Sequence, residues 1–136
     1  MRKSFSVKRI GSKQPRKQRK YIANAPFHIQ RDMISGHLSK ELRAKYGRRS
    51  FPKRKGDVVI VMSGEFKGKK GKVELFNSKN KKVSIEGIQI TKKDGSKVSV
   101  YFSPSKLLIT ELILDDKRRS DSIKKQEIIE RIGGKK

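Results

Sequence analysis

Between Gly56 and Val73 the chain reads GDVVIVMSGEFKGKKGKV, and no other stretch restricts the fold as much. Val58 to Val61 is a β-branched run, which suits an extended strand half-buried in a sheet. Glycines at 64, 68 and 71 then interrupt the apolar pattern. They permit positive φ and close approach by another backbone. The stretch therefore predicts a strand, a tight loop and a second strand. Lys67, Lys69 and Lys70 add charge to the loop, whose exposed N–H groups can meet phosphate oxygens. A solvated hairpin is the competing reading.

Four more apolar runs follow between turn signals, so strands are expected near Val58–Met62, Gly71–Phe76, Lys82–Glu86, Lys97–Phe102 and Leu107–Leu112. Asn77–Lys81 and Asp94-Gly95 supply turns. Five short strands closed on themselves make a small barrel with few exposed edges. Alternation puts Val59, Val61, Val73, Leu75, Val83 and Ile85 inside. Phe66 is expected to plug the barrel mouth rather than stack on a base.

Charge divides the chain of 136 residues, whose net value is +24. Residues 1–55 hold 18 basic and 2 acidic residues, against 11 and 6 in residues 56–114 and 8 and 5 in residues 115–136. Three parts follow: a basic arm (1–55), a barrel (56–114) and a helical tail (115–136). Self-repulsion of this size calls for a polyanionic partner, nucleic acid first. The first twenty residues bury too little to order alone and are expected to fold on RNA, helped by Ser12, Gln14 and Gln18. Ser39 caps a short helix over Lys40–Tyr46, and Gly47 ends it. Pro26 and Pro52 mark breaks. A terminal helix is expected over Ser122–Ile132.

Nothing in the chain suggests catalysis. Gly64 reaches Gly68 after three residues and Lys69 is followed by Lys70, so the loop fails the phosphate-loop pattern in spacing and in hydroxyl. Without cysteine, His28 and His37 make a poor metal site and are expected to meet RNA or solvent. No catalytic residue, metal, cofactor or small-molecule substrate is expected, and no apolar run reaches the ~18 residues of a membrane span. Asp57 reads as a turn or strand-start residue.

The spacing Gly56, Asp57, Val59, Val61, Gly64, Lys67, Gly68, Gly71, Val73 resembles the KOW motif of small SH3-like barrels in ribosomal proteins and transcription elongation factors. More of the chain is similar to one family: NAPFHI (24–29), LSKELRAKYGRRSFPKRKGD (38–57) and SPSKLLIT (103–110) occur in the order seen in the large-subunit ribosomal protein family numbered twenty-four in bacteria and archaea, twenty-six in eukaryotes. That resemblance runs from about Ser12 to Arg119 and leans archaeal. It implies a mainly β fold, a five-stranded SH3-like barrel with a basic arm and a helical tail.

The same resemblance implies a cytoplasmic ribosomal protein that binds large-subunit ribosomal RNA early in assembly, near the polypeptide exit tunnel, beside neighbouring large-subunit proteins. Expected RNA contacts are Arg16, Lys17, Arg19, Lys20, His28, Arg43, Arg48, Arg49, Lys53, Arg54 and Lys55 in the arm. Ser63, Gly64, Lys67, Gly68, Lys69 and Lys70 are expected from the loop, with Ser105 and Lys106 beyond it. Relatives commonly carry His-Pro-Ser where Ser103-Pro104-Ser105 stands here, so the chain departs from the family at that histidine while the Pro-Ser turn and Lys106 remain. The rival readings are a KOW elongation factor, which normally adds an α/β domain, and a nonspecific nucleic-acid coat.

Overall fold

The structure, a computed structural model, describes residues 5–77 and 80–123. It is mainly β, with helices before and after the sheet. All five expected strands form: β3 (Val58–Val61), β4 (Lys70–Asn77), β5 (Lys82–Thr91), β6 (Lys97–Phe102) and β7 (Leu107–Glu111). Two further strands, β1 (Ser35–Leu38) and β2 (Ser50–Pro52), come from the segment read as arm. The strand order is β2-β1-β7-β3-β4-β5-β6. β1 runs parallel to β7, placing His37 against Leu108, while the other pairs are antiparallel. The expected closed, five-stranded sheet is thus a seven-stranded one whose ends, β2 and β6, do not pair among the described residues.

The sheet nevertheless curls. β6 and β7 stand four strand steps apart, about 19 Å if the sheet were flat. Residues 103–106 alone connect them, and Pro104–Lys106 is a 3-10 turn of low rise. Five residue steps so coiled span roughly 13 Å, so a flat sheet is excluded. Val59, Val61, Val73, Val83, Ile85, Leu107 and Ile109 fill the concave side at 1% exposure or less. Leu75 was expected among them but is 51% exposed. A register shift between Val73 and Leu75 turns it outward and leaves Phe76 opposite Val83.

The first twenty residues, expected to lack order alone, are helical in part: a 3-10 turn at Val7–Gly11, then the start of α1 (Pro15–Asn24), after which α2 (Phe27–Met33) follows. Tyr21 is buried and its ring meets Phe5 at 5.0 Å. Lys81, in the β4–β5 turn, donates from Nζ to the Ile22 carbonyl at 2.7 Å, a cation gripping the negative end of α1. Helix α3 (Lys40–Tyr46) forms as expected: Ser39 Oγ accepts from the Leu42 N–H, and Gly47 is left-handed at φ 62°. Asp94 accepts from Ser96 across the expected Gly95 turn.

A helical stretch forms after the sheet, before the helix expected from Ser122. Residues 117–123 are helical, and Asp116 caps them by accepting from the Arg118 N–H. The Ser122–Ile132 helix lies outside the described residues beyond 123. Asp57, read as a turn residue, does more. It is fully buried, accepts from the Arg54 and Ile113 N–H groups, and forms a two-toothed ion pair with Arg119. One carboxylate thereby ties the start of β3 to the segment just before it and to the segment that follows β7.

Candidate nucleic-acid interface

The loop from Met62 to Lys69 is held by its own backbone. Gly68 N–H donates to Val61 carbonyl, Lys67 to Gly64 and Lys69 to Phe66. Gly64 at φ 99° and Gly68 at φ 85° need the positive region, and a Cβ at either would meet open space. Gly71 has another reason: a Cβ there would lie 2.8 Å from the Glu86 carbonyl of β5. The glycines thus shape one rigid loop, from which Ser63, Lys67, Lys69 and Lys70 are exposed.

Phe66 packs, as expected. Its ring meets Phe102 edge-on at 6.0 Å, and Lys69 Nζ stands 5.0 Å above it. Met62 N–H donates to the Lys106 carbonyl at 2.8 Å, so the Ser103–Lys106 turn lies against the loop. This joins the turn that carries Ser105 and Lys106 to the start of the loop that carries Lys67 and Lys69, although the two segments are far apart in the chain. Lys70 is half engaged, in an exposed ion pair with Glu111 at 2.8 Å.

A second group lies on α1. Arg16, Lys17, Arg19 and Lys20 are exposed and spread over roughly 160° of the helix surface, at 3.6 residues per turn. Tyr21 and Gln18 fall on the opposite arc. Gln18, expected to meet RNA, instead donates to the Ile10 and Ser12 carbonyls. The β3–β4 loop enters β4 at Lys70, and the turn bearing Lys81 leaves it at Asn77. Eight residues of strand hold these ends about 23 Å apart. The basic candidates therefore form two surfaces, not one.

The remaining residues divide. Arg49, Lys55 and His28 are exposed. Arg43 Nε donates to the Leu38 carbonyl. Arg48 donates to the Ser122 carbonyl and lies over the Phe51 ring at 5.3 Å. Arg54 pairs with Asp116 at 2.6 Å, and that hydrogen bond holds the Asp116 carboxyl below its usual range.

Lys53 is the clear exception to the expected surface: it is 5% exposed, and its Nζ donates to the Pro104 carbonyl at 2.7 Å. The side chain crosses Gly36, where a Cβ would collide with it. Burial lowers its pKa to about 8, against a smaller upward pull from Asp57. His37 is partly exposed, but its Nδ1 is enclosed and unpartnered among the described residues.

Sequence reasoning missed Lys81, Arg31, Arg118 and Arg119. Arg118 and Arg119 are visible as an Arg pair after two aspartates, but only the fold shows one exposed and the other buried. Among the described residues, only Arg54, Lys70 and Arg119 take a carboxylate within ion-pair distance. The exposed cations thus leave a strong, uncompensated field that attracts polyanions. No group of three metal-ligating side chains occurs among the described residues, and no helix there is long and apolar enough to cross a membrane.

Comparison with known proteins agrees on one family. Residues 12–126 match the family model for eukaryotic ribosomal protein L26 and its archaeal counterpart, numbered twenty-four. The large ribosomal subunit protein uL24 of Methanosphaera stadtmanae is 46% identical over 115 residues, covering 85% of this chain and 98% of the relative. The protein of that name from Korarchaeum cryptofilum is 42% identical, over 89% of this chain and 96% of its own. That of Methanosarcina barkeri is 45% identical, over 84% and 98%.

Proposed function

The chain belongs to the ribosomal protein family of eukaryotic L26 and its archaeal counterpart, and from that premise we propose how it holds RNA. It is a structural constituent of the large ribosomal subunit, located in the ribosome, and not an enzyme. Family membership removes the elongation factor and the nonspecific coat as rivals.

In the proposed mechanism the two basic surfaces engage separate segments of large-subunit ribosomal RNA. Lys67, Lys69, Ser63, Ser105 and Lys106 contact phosphates from one end of β4, with the Gly64 and Gly68 backbone close by. Arg16, Lys17, Arg19 and Lys20 do so from the other, and Arg49, Lys55 and His28 add contacts between. Lys53 is left out because it is buried. The division into a basic arm (1–55), a barrel (56–114) and a tail (115–136) belongs to the same proposal. So does an SH3-like barrel over β3 to β7, supported by the short Pro104–Lys106 return. Binding early in assembly, near the exit tunnel and beside other large-subunit proteins, completes it.

The observation that carries the reading is the convergence of the loop and the Ser103–Lys106 turn through the Met62–Lys106 hydrogen bond. It joins two cation-bearing segments, of which Lys67, Lys69 and Lys106 have no carboxylate partner among the described residues. Phosphate contacts of this kind position a protein, and RNA shape supplies specificity. Titrating the purified chain against large-subunit RNA, small-subunit RNA and duplex DNA at raised salt tests it. At least tenfold preference for the first is expected; equal affinity for all three would sink the proposal.

A further inference from the structure

A cleft of about 700 Å³ opens between α2, β2 and the C-terminal helix, within the ~300–1,000 Å³ usual for small-ligand sites. Its walls include Ile34, Phe51 and Phe76, which are apolar. Arg31, Arg48, Arg54 and Arg118 stand on it as well, outnumbering the carboxylates of Asp32 and Asp116. Arg48 is steadied over Phe51 and Arg54 is held by Asp116. Arg31 and Arg118 are exposed and have no carboxylate partner among the described residues.

Phe27 also lines this cleft, yet it is 83% exposed. It precedes Arg31 by four residues, so ring and guanidinium share one helix face. An aromatic ring left in water beside free arginines suits a ligand with a flat π-face and a phosphate. A paired base hides its faces in the stack, whereas an unpaired one offers them to aromatic and Arg side chains. We propose that this cleft seats an unpaired nucleotide of single-stranded RNA, the base against Phe27 and the phosphate among Arg31, Arg48 and Arg118. This rests on the RNA-binding reading above and names the form of RNA one surface takes.

The chain contains no tryptophan, so Phe27→Trp installs a single reporter at an exposed position. Hexauridylate and hexaadenylate should quench its fluorescence saturably, at least fivefold more tightly than duplex RNA at equal phosphate. Adding Arg31→Ala should weaken that binding several-fold. In the natural background Phe27→Ala should lose about tenfold in affinity for the hexamers while its melting temperature is unchanged.

Absence of quenching in a Phe27→Trp protein that still binds large-subunit RNA would overturn the cleft and leave the proposed function standing. Failure of the unsubstituted chain to prefer large-subunit RNA would instead overturn the function on which the cleft depends. Quenching by duplex as strong as by hexamer would overturn the requirement for an unpaired base. Quenching by polyglutamate but not by RNA would assign the cleft to an acidic protein segment.

Discussion

Arg119 grips Asp57 through two hydrogen bonds of 2.6 and 2.9 Å, with both side chains withdrawn from solvent. The carboxylate also accepts two backbone N–H groups, and the guanidinium also donates to the Ile113 and Pro52 carbonyls. Desolvation of both charges is offset only because the carboxylate accepts four hydrogen bonds and the guanidinium donates four. Removing one side therefore strands the other. Asp57→Ala and Arg119→Ala should each cost about 3–5 kcal/mol in urea unfolding. The double variant should cost clearly less than their sum. Arg119→Lys should recover little, since an ammonium cannot span both oxygens. Additive losses would show that the pair does not act as a unit.

Lys53 makes stability depend on pH in a direction opposite to most surface lysines. Its folded pKa is lowered from 10.5 to about 8, with burial the larger cause. Below about pH 8 the folded state carries a buried ammonium, so the penalty is fully present. Between about 8 and 10.5 the unfolded chain binds the extra proton, so stability rises with pH through that window. The gain is on the order of 3 kcal/mol. Because other lysines also discharge there, the test is a difference. Unfolding free energy of the natural chain minus that of Lys53→Met should be flat from pH 6 to 7.5 and climb above 8. A flat difference throughout would mean that Lys53 is solvated.

Two glycines of the loop region should respond differently to one methyl group. At Gly71 the added Cβ meets the Glu86 carbonyl at 2.8 Å and Ile85 at 2.6 Å, both on β5. Gly71→Ala should cost at least 1–3 kcal/mol as an overpacking strain. At Gly64 nothing lies near, and only the positive φ opposes a side chain. Gly64→Ala should cost about 1–2 kcal/mol, and Gly64→Asn less, since Asn tolerates the left-handed region better. Thermal unfolding ranks the three variants. If Gly64→Ala proves the worst, the loop is under a constraint beyond its backbone angle.

How far the residues disclose the fold depends on whether the deciding partner is local. Val58–Val61 and Lys97–Phe102 announce themselves as strands through β-branched runs. Ser39 and Gly47 fix α3 from its own two ends. Ser35–Leu38 does not announce itself, because SGHL becomes a strand by pairing with β2 and with β7, the latter some seventy residues further on. Leu75 follows the alternation until a bulge reverses it. Lys53, Arg54 and Lys55 look alike in sequence. Which of them is buried is decided by the space above Gly36 and a carbonyl at Pro104. Loop cations were legible because a glycine-rich turn carries its own geometry; the cleft was not, since three distant segments build it.

The loop lysines should not contribute equally to RNA binding. Lys67 is exposed with no carboxylate partner among the described residues, and Lys69 leans over Phe66 while remaining exposed. Lys70 must give up Glu111 to reach a phosphate, though the exposure of both partners makes that loss small. Each phosphate contact removed should reduce the slope of log affinity against log salt by about 0.7–0.9. Changing Lys67, Lys69 and Lys70 together to alanine should therefore weaken binding to large-subunit RNA and flatten its slope by about 2. Lys70→Ala alone should change it by less than Lys67→Ala. Glu111→Gln, which frees Lys70, should strengthen binding slightly at low salt. Anisotropy titrations at several salt concentrations measure all of these. An unchanged affinity and slope in the triple variant would remove the loop from the RNA surface and leave the α1 cations as its main component.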